Sequence, residues 1–379
     1  MRYIITAILL STMYSASVLA APLAYVISEN DNFISIIDLS NNMPTNVINN
    51  VGNPVDLATT PDGKFVYVAA EGSVLVVQTS DMKVVDNIDI DVGEENVSIA
   101  ISPDGNFVYV TNFDMMNMEY VVTIIQTSDN TVVDTVEVQN QPTDIAVTPD
   151  SKFVYVVNGG GAIDPQQSPN STVSVIQTSD HTVIDTINVG RDSVEIAIDP
   201  NGDFAYVTNV LSNDISKIQI SNNMVVDNIK GFTKPLVVEV SPDNELLYVV
   251  EEASTAVNVY KILDNMVIDT VVVENQTSGF LCVVASPDGD FIYICGSSAV
   301  IVVPTSNYSK ITPVELGADV NDVSGIALVP DQDLLGSVDG GNGNSSNSCA
   351  LAGPGTSSSS LLILLIIPAF ILIRRCRAN

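Results

Sequence analysis

A β-propeller of seven four-stranded blades is the fold this sequence predicts, and three observations predict it. The turn Pro-Asp-Gly, or a close variant, starts at Pro61, Pro103, Pro149, Pro200, Pro242, Pro287 and Pro330, in steps of 42, 46, 51, 42, 45 and 43 residues. A period near 45 built from short strands alone marks radial repetition of small sheets. The ends also complement each other. Leu23 to Ile27 reads as a second strand with no first strand before it, and Gly325 to Val329 as a lone first strand. Joined, they make one composite blade beside six whole ones.

The elements follow in chain order. Residues 1–20 read as a secretory signal peptide: Arg2, an apolar run from Ile4 to Leu10, and Val18-Leu19-Ala20 before a cleavage point at Ala21. Residues 21–338 are the propeller. One repeat, Asn96 to Val138, shows how a blade arises. Val97 to Ile101 alternates toward the turn at Pro103, Phe107 to Val110 follows, then Tyr120 to Ile125, then Val132 to Val138 after Ser128-Asp129-Asn130. Period-two spacing puts one side of each strand in a core, and β-branched and aromatic residues suit packed pleated surfaces. Proline presets the turn and glycine permits a positive φ. A tyrosine recurs in the second strands (Tyr67, Tyr109, Tyr155, Tyr206, Tyr248, Tyr293) and reads as core, its hydroxyl bonded to the backbone.

Residues 339–360 read as a Gly/Ser/Asn linker, too polar and flexible to pack. Residues 361–379 read as a hydrophobic helix, Leu361 to Ile373, with a basic tail at Arg374, Arg375 and Arg377. Thirteen residues as a helix rise about 20 Å against roughly 30 Å of hydrocarbon. The segment is therefore a short transmembrane anchor or a processed tail, with the propeller outside. It resembles bacterial C-terminal sorting signals, which implies a sorting protease as partner and Cys349 as the processed position.

The net charge is −32, from 45 acidic and 13 basic residues. No basic patch exists for phosphates, which excludes nucleic acid as a partner. The charge fits a soluble, self-repelling surface in a salty exterior.

Strands of a blade run antiparallel, so strand-one starts, strand-two ends and the loops from strand two to strand three share one face. Five residues before each turn proline stand Asp56, Ser98, Asp144, Glu195, Val237, Cys282 and Gly325. Four consecutive blades thus offer polar or acidic side chains at the channel mouth. Converging carboxylates repel, raise one another's pKa or hold a cation, calcium being the one this set would take. The alternative is that each caps backbone donors of its own interblade loop. No other cofactor is expected. Asn112, Asn158 and Asn209, at strand-two ends, lie on the same face. So do two insertions: Phe113 to Glu119, with Met115 and Met116, and Asn158 to Asn170, with Asp164. Long loops on a rigid ring commonly carry function, and methionines make adaptable contacts.

Cys282 and Cys295 flank one hairpin symmetrically, which opposes them across two strands and predicts a disulfide; a register shifted by one leaves two thiols. His181, the only histidine, reads as a solvated turn residue at the periphery. No spacing suggests a Ser/His/acid set.

The repeats resemble the YVTN family of bacterial and archaeal propellers. The naming motif stands at Tyr109-Val110-Thr111-Asn112 and Tyr206-Val207-Thr208-Asn209, and has drifted to Tyr155-Val156-Val157-Asn158 and Tyr67-Val68-Ala69-Ala70. The resemblance spans Leu23 to Leu335. It implies the propeller and a surface-layer-like role; related-looking propellers act as lactonases and as heavy chains of quinone-dependent dehydrogenases. Three readings follow. One is a binding or scaffold module displayed at the cell envelope, contacting a protein, peptide or polysaccharide through the loop face. Another is an extracytoplasmic enzyme of the lactonase or dehydrogenase kind. The last is a cation-stabilised surface protein.

Overall fold

The computed structural model describes residues 22–28, 32–70, 72–90, 98–114, 116–159, 170–252, 254–273, 282–296, 298–316, 323–329, 343–345 and 349–351. Blade I takes β1 (Leu23–Ser28), β2 (Phe33–Asp38) and β3 (Met43–Asn49). Blade II is β4 (Pro54–Thr59), β5 (Phe65–Ala70), β6 (Ser73–Gln78) and β7 (Lys83–Asp89). Blade III is β8 (Ile99–Ile101), β9 (Phe107–Asp114), β10 (Glu119–Gln126) and β11 (Thr131–Glu137). Blade IV is β12 (Pro142–Val147), β13 (Phe153–Asn158), β14 (Asn170–Gln177) and β15 (Thr182–Arg191). Blade V is β16 (Ser193–Ile198), β17 (Phe204–Asn209), β18 (Asp214–Gln219) and β19 (Met224–Lys230). Blade VI is β20 (Pro235–Val240), β21 (Leu246–Glu251), β22 (Ala256–Lys261) and β23 (Met266–Val272). Blade VII is β24 (Val283–Ala285), β25 (Phe291–Cys295), β26 (Ala299–Pro304) and β27 (Thr312–Glu315).

The last blade strand, β28 (Val323–Val329), returns to blade I and pairs antiparallel with β1, Leu23 opposite Val329 and Ile27 opposite Gly325. Seven sheets result, and the composite blade closes the ring as the sequence predicts. Gly325 gives a close fit there: a Cβ would meet Leu57 Cδ2 at 3.0 Å and Ile27 Cδ1 at 3.1 Å, so those side chains would have to shift. Two short strands, β29 (Gly343–Ser345) and β30 (Cys349–Leu351), form a hairpin that meets β8 through the pair Ser345–Ile101. They fall within the stretch expected to stay an unpacked linker, and Cys349 opens the second of them.

Burial follows strand rank. Second strands are buried almost throughout, while fourth strands are mostly exposed, Ile88 being the one buried residue of β7 and Val136 that of β11. The exposed outer strands would be open edges. All but β27 are bulged: Val76 faces Asp86 and Val77 faces Val84, so Val85 is left over. The same step recurs in β11, β15, β19 and β23. The aspartate after the bulge bonds the next amide, as Asp134 does with the Thr135 N–H at 2.9 Å. A bulge and a charge together spoil the edge for pairing with another chain.

The turns are built alike. Thr60 Oγ1 donates to Asp62 Oδ1 at 2.8 Å and accepts the Phe65 N–H at 3.0 Å, and Gly63 sits at φ 66°. In blade V an aspartate, Asp199, replaces the hydroxyl and takes the Asp203 and Phe204 amides itself. Burial pushes its carboxyl above the ordinary range.

The tyrosines are core, but the hydroxyls of Tyr67 and Tyr155 reach neighbouring side chains rather than backbone. Tyr67 donates to Asn130 Oδ1 at 2.7 Å and Tyr155 to Asn223 Oδ1 at 2.5 Å, each partner lying one blade on.

Among the described residues no helix is long and apolar enough to cross a membrane. This corrects the expectation of a transmembrane anchor. Residues 1–20 and 361–379, on which the signal peptide and tail were read, lie outside the described residues.

Candidate functional site

The channel-mouth residues are brought together, and they bond one another and the next blade. Asp56 accepts the N–H of Leu57 on its own strand at 2.8 Å and that of Ile99, in blade III, at 2.9 Å. Asp144 repeats this, accepting from Ile145 at 2.8 Å and from Ile196, in blade V, at 2.8 Å. Ser98 lies between them, its Oγ 3.0 Å from Asp56 Oδ2 and 2.9 Å from Asp144 Oδ1. A hydroxyl carries one hydrogen. Both contacts are hydrogen bonds only when one carboxyl is protonated and donates to Ser98. Burial, helped by the Asp56 charge, pushes Asp144 up to about 7, against the pull of the Ile196 and Ile145 amides and of Ser98. Asp144 is the carboxyl that keeps the proton.

Glu195 continues the series. Burial raises its carboxyl well above the ordinary range, Asp144, Glu239 and Asp56 add to the rise, and a bond from the Val238 amide opposes it. Its side chain keeps some solvent contact, whereas Asp56, Asp144 and Ser98 are buried. Sequence counting missed the next member. In blade VI the acidic position holds Val237, and Glu239, two residues on, accepts the Ala285 N–H of blade VII at 3.1 Å. A signal existed: the equivalent position is Ala58, Ala100, Ala146 and Ala197 in the four preceding blades. Residues two apart on a strand share a face, so the acid and the small apolar residue have exchanged places.

The carboxylates therefore latch blade to blade, a wider version of the capping alternative, since the donors belong to the next blade's inner strand. Among the described residues no group of three or more His, Cys, Asp or Glu is placed to hold a metal ion. Where the acids end, Cys282 and Cys295 are joined by a disulfide with Cα atoms 5.1 Å apart. The register is the symmetric one, Val284 opposite Tyr293.

The strand-two asparagines are spent on bonds within the fold, and Asn209 also reaches back to blade IV, accepting the Gly190 N–H at 3.2 Å. Thr123 Oγ1 donates to Asn112 Oδ1 at 2.9 Å. The Asn158 amide lies 3.1 Å from Thr172 Oγ1 and 3.0 Å from Ser174 Oγ. Asn209 accepts from Ser193 Oγ at 2.6 Å and donates to Asp214 Oδ1 and Ser216 Oγ, both at 2.9 Å.

The loop face is different. Strands β9 and β10 run to eight residues each, against six for β5 and β6, so their hairpin extends past its neighbour. Phe113 and Tyr120 pack across it with tilted rings, centroids 4.9 Å apart. Asp114 ties the tip by accepting the Met116 and Asn117 amides at 2.8 and 3.1 Å. Met116 and Met118 are left 86% and 72% exposed. Met115 and Asp164 lie outside the described residues.

No protein-family profile matches the sequence, and no curated protein matches it. Solved structures do. The chain is similar to a functionally unknown protein from Desulfotomaculum acetoxidans DSM 771, with 18% identity and a TM-score of 0.66 over 82% of this chain and 100% of that one. It is also similar to Kuenenia stuttgartiensis hydrazine synthase, with 18% identity and a TM-score of 0.57 over 67% of this chain and 77% of that one. These likenesses carry the fold and nothing beyond it.

Proposed function

We propose that the chain is an exported propeller of the YVTN kind that serves as a binding or scaffold module at the cell envelope. It contacts a protein, peptide or polysaccharide through its loop face. One contrast carries this reading. The polar groups at the channel mouth are consumed in holding blades together, while the β9–β10 hairpin is braced by an aromatic pair and leaves two methionines to solvent. A rigid scaffold with an adaptable apolar tip is built for contact rather than for proton transfer. Export is supported by the signal-like residues 1–20 and by the disulfide, since such bonds persist in oxidising compartments. Processing of the tail at Cys349 belongs to the same reading, and the intact mass of protein recovered from its host tests it.

The main test is a panel of immobilised glycans and peptides probed with the wild-type protein and with the M116S/M118S variant. The reading expects at least one ligand whose binding falls about tenfold or more in the variant, with an unchanged circular dichroism spectrum. Ligands held equally by both proteins remove the hairpin from the site. Hydrolysis of a lactone panel, lost in D144N, would replace this reading with the enzymatic one.

A further inference from the structure

The turn between third and fourth strands carries a left-handed residue in blades I to VI: Asn42, Met82, Asn130, His181, Asn223 and Asn265. Asparagine tolerates this backbone best among non-glycine residues, and it is the commonest choice here. At the seam between blades II and III it makes a full clasp. Asn130 accepts the Tyr67 hydroxyl and donates Nδ2 to Asp86 Oδ2 at 2.9 Å. At the seam between blades III and IV a histidine stands in its place. Imidazole has no carbonyl to offer, and the Tyr109 hydroxyl is left buried without a hydrogen-bond partner. The contact with the outer strand survives: His181 Nδ1 lies 3.0 Å from Asp134 Oδ2, the equivalent of Asp86. The ring also meets Phe107 edge-on at 5.5 Å. Its side chain is 16% exposed, so it lies largely inside the seam and not in solvent as the turn position suggests.

We propose that His181 makes the seam between blades III and IV a pH-sensitive clasp, unlike the seam between blades II and III, where the clasping residue is a neutral asparagine. The groups around it fit this role. Asp134 on β11 faces Nδ1 directly, and Tyr109 on β9 offers a neutral hydroxyl. On its own turn Asp180 is engaged by Thr182 Oγ1 at 2.9 Å, and on β15 Asp185 is engaged by the Thr186 amide at 2.8 Å. A carboxylate only accepts. A neutral imidazole gives it one ordinary hydrogen bond; a protonated one gives it a charge-assisted bond. Protonation of the ring thus tightens the clasp, and loss of that proton slackens it. An asparagine at the same place has no charge to lose.

The test is a double-mutant cycle on the full chain with H181N, D134N and the pair, by urea unfolding at about pH 5.5 and about pH 8, either side of ordinary imidazole titration. H181N restores the residue used in neighbouring seams, so the variant keeps its turn. The expected coupling between the two positions is about fivefold in the unfolding constant at the lower pH and close to none at the higher. Equal coupling at both, or none at either, overturns the clasp.

Discussion

The inner ends of the blades and their outer turns both bind neighbour to neighbour, with opposite chemistry. At the centre, carboxyl groups accept backbone amides of the next blade: Asp56 from Ile99, Asp144 from Ile196, Glu239 from Ala285. At the outer turns, neutral asparagines accept tyrosine hydroxyls. The inner latches bring like charges together in a buried place, so their strength depends on who holds the proton. The outer ones carry no such penalty, except at His181. A backbone donor left unpaired in the core costs more than a mobile hydroxyl near the rim. Breaking an inner latch must therefore cost more than breaking an outer one. D144A strands the Ile196 and Ile145 amides and one contact of Ser98. It should lower the unfolding free energy by about 3 kcal/mol, measured by urea unfolding near pH 5. N130A should cost about 1 kcal/mol under the same conditions. Equal losses would erase the distinction.

The second difference is in pH. Asp144 has its carboxyl raised to about 7 in the fold, against 3.8 as its ordinary value. The folded chain then binds the proton more tightly than the unfolded one. That contribution to stability is fully present below pH 3.8, declines as pH rises, and is gone above about 7. Glu195 acts in the same direction. Asp62 and Asp150, held low by Lys64 and Lys152, act oppositely, and their contribution is lost only as pH falls below the ordinary carboxylate range. D144N should flatten the decline between pH 4 and 7. A wild-type profile that rises across this window, or a D144N profile of unchanged slope, would show that Asp144 is ionised in the fold.

The seven blades could be read in the sequence because each turn proline restarts the same local pattern, and local pattern sets strand spacing. The same spacing located Asp56, Ser98, Asp144 and Glu195. It could not show what they face, because the donors at Ile99, Ile196 and Val238 belong to another blade, more than forty residues away. The tyrosine hydroxyls were misread for the same reason: Asn130 and Asn223 lie more than sixty residues from Tyr67 and Tyr155. Glu239 was hidden because counting from the turn fixes a column, while burial requires only the same face two residues along. The His181 turn was hidden because a turn residue is exposed within one blade and enclosed only when the next blade stands beside it.

The smallest expected effect sharpens the contrast among the outer turns themselves. Tyr25, in blade I, has a buried hydroxyl with no hydrogen-bond partner, and the left-handed residue of the equivalent turn in the next blade is Met82. Its thioether packs against the cluster containing Tyr25 and accepts the Asn46 Nδ2 at 3.3 Å. Asparagine at this position relieves the backbone, since it tolerates φ near 55° better than methionine. It also supplies the carbonyl that Tyr67 and Tyr155 already use. Loss of the half-buried thioether offsets part of the gain. M82N should raise stability by about 1 kcal/mol, read as a higher urea midpoint. The Y25F background separates the two causes: the hydroxyl bond disappears there, and only the backbone share of the gain should remain. A gain that is identical in both backgrounds would mean that the missing carbonyl is not what distinguishes this seam from its neighbours.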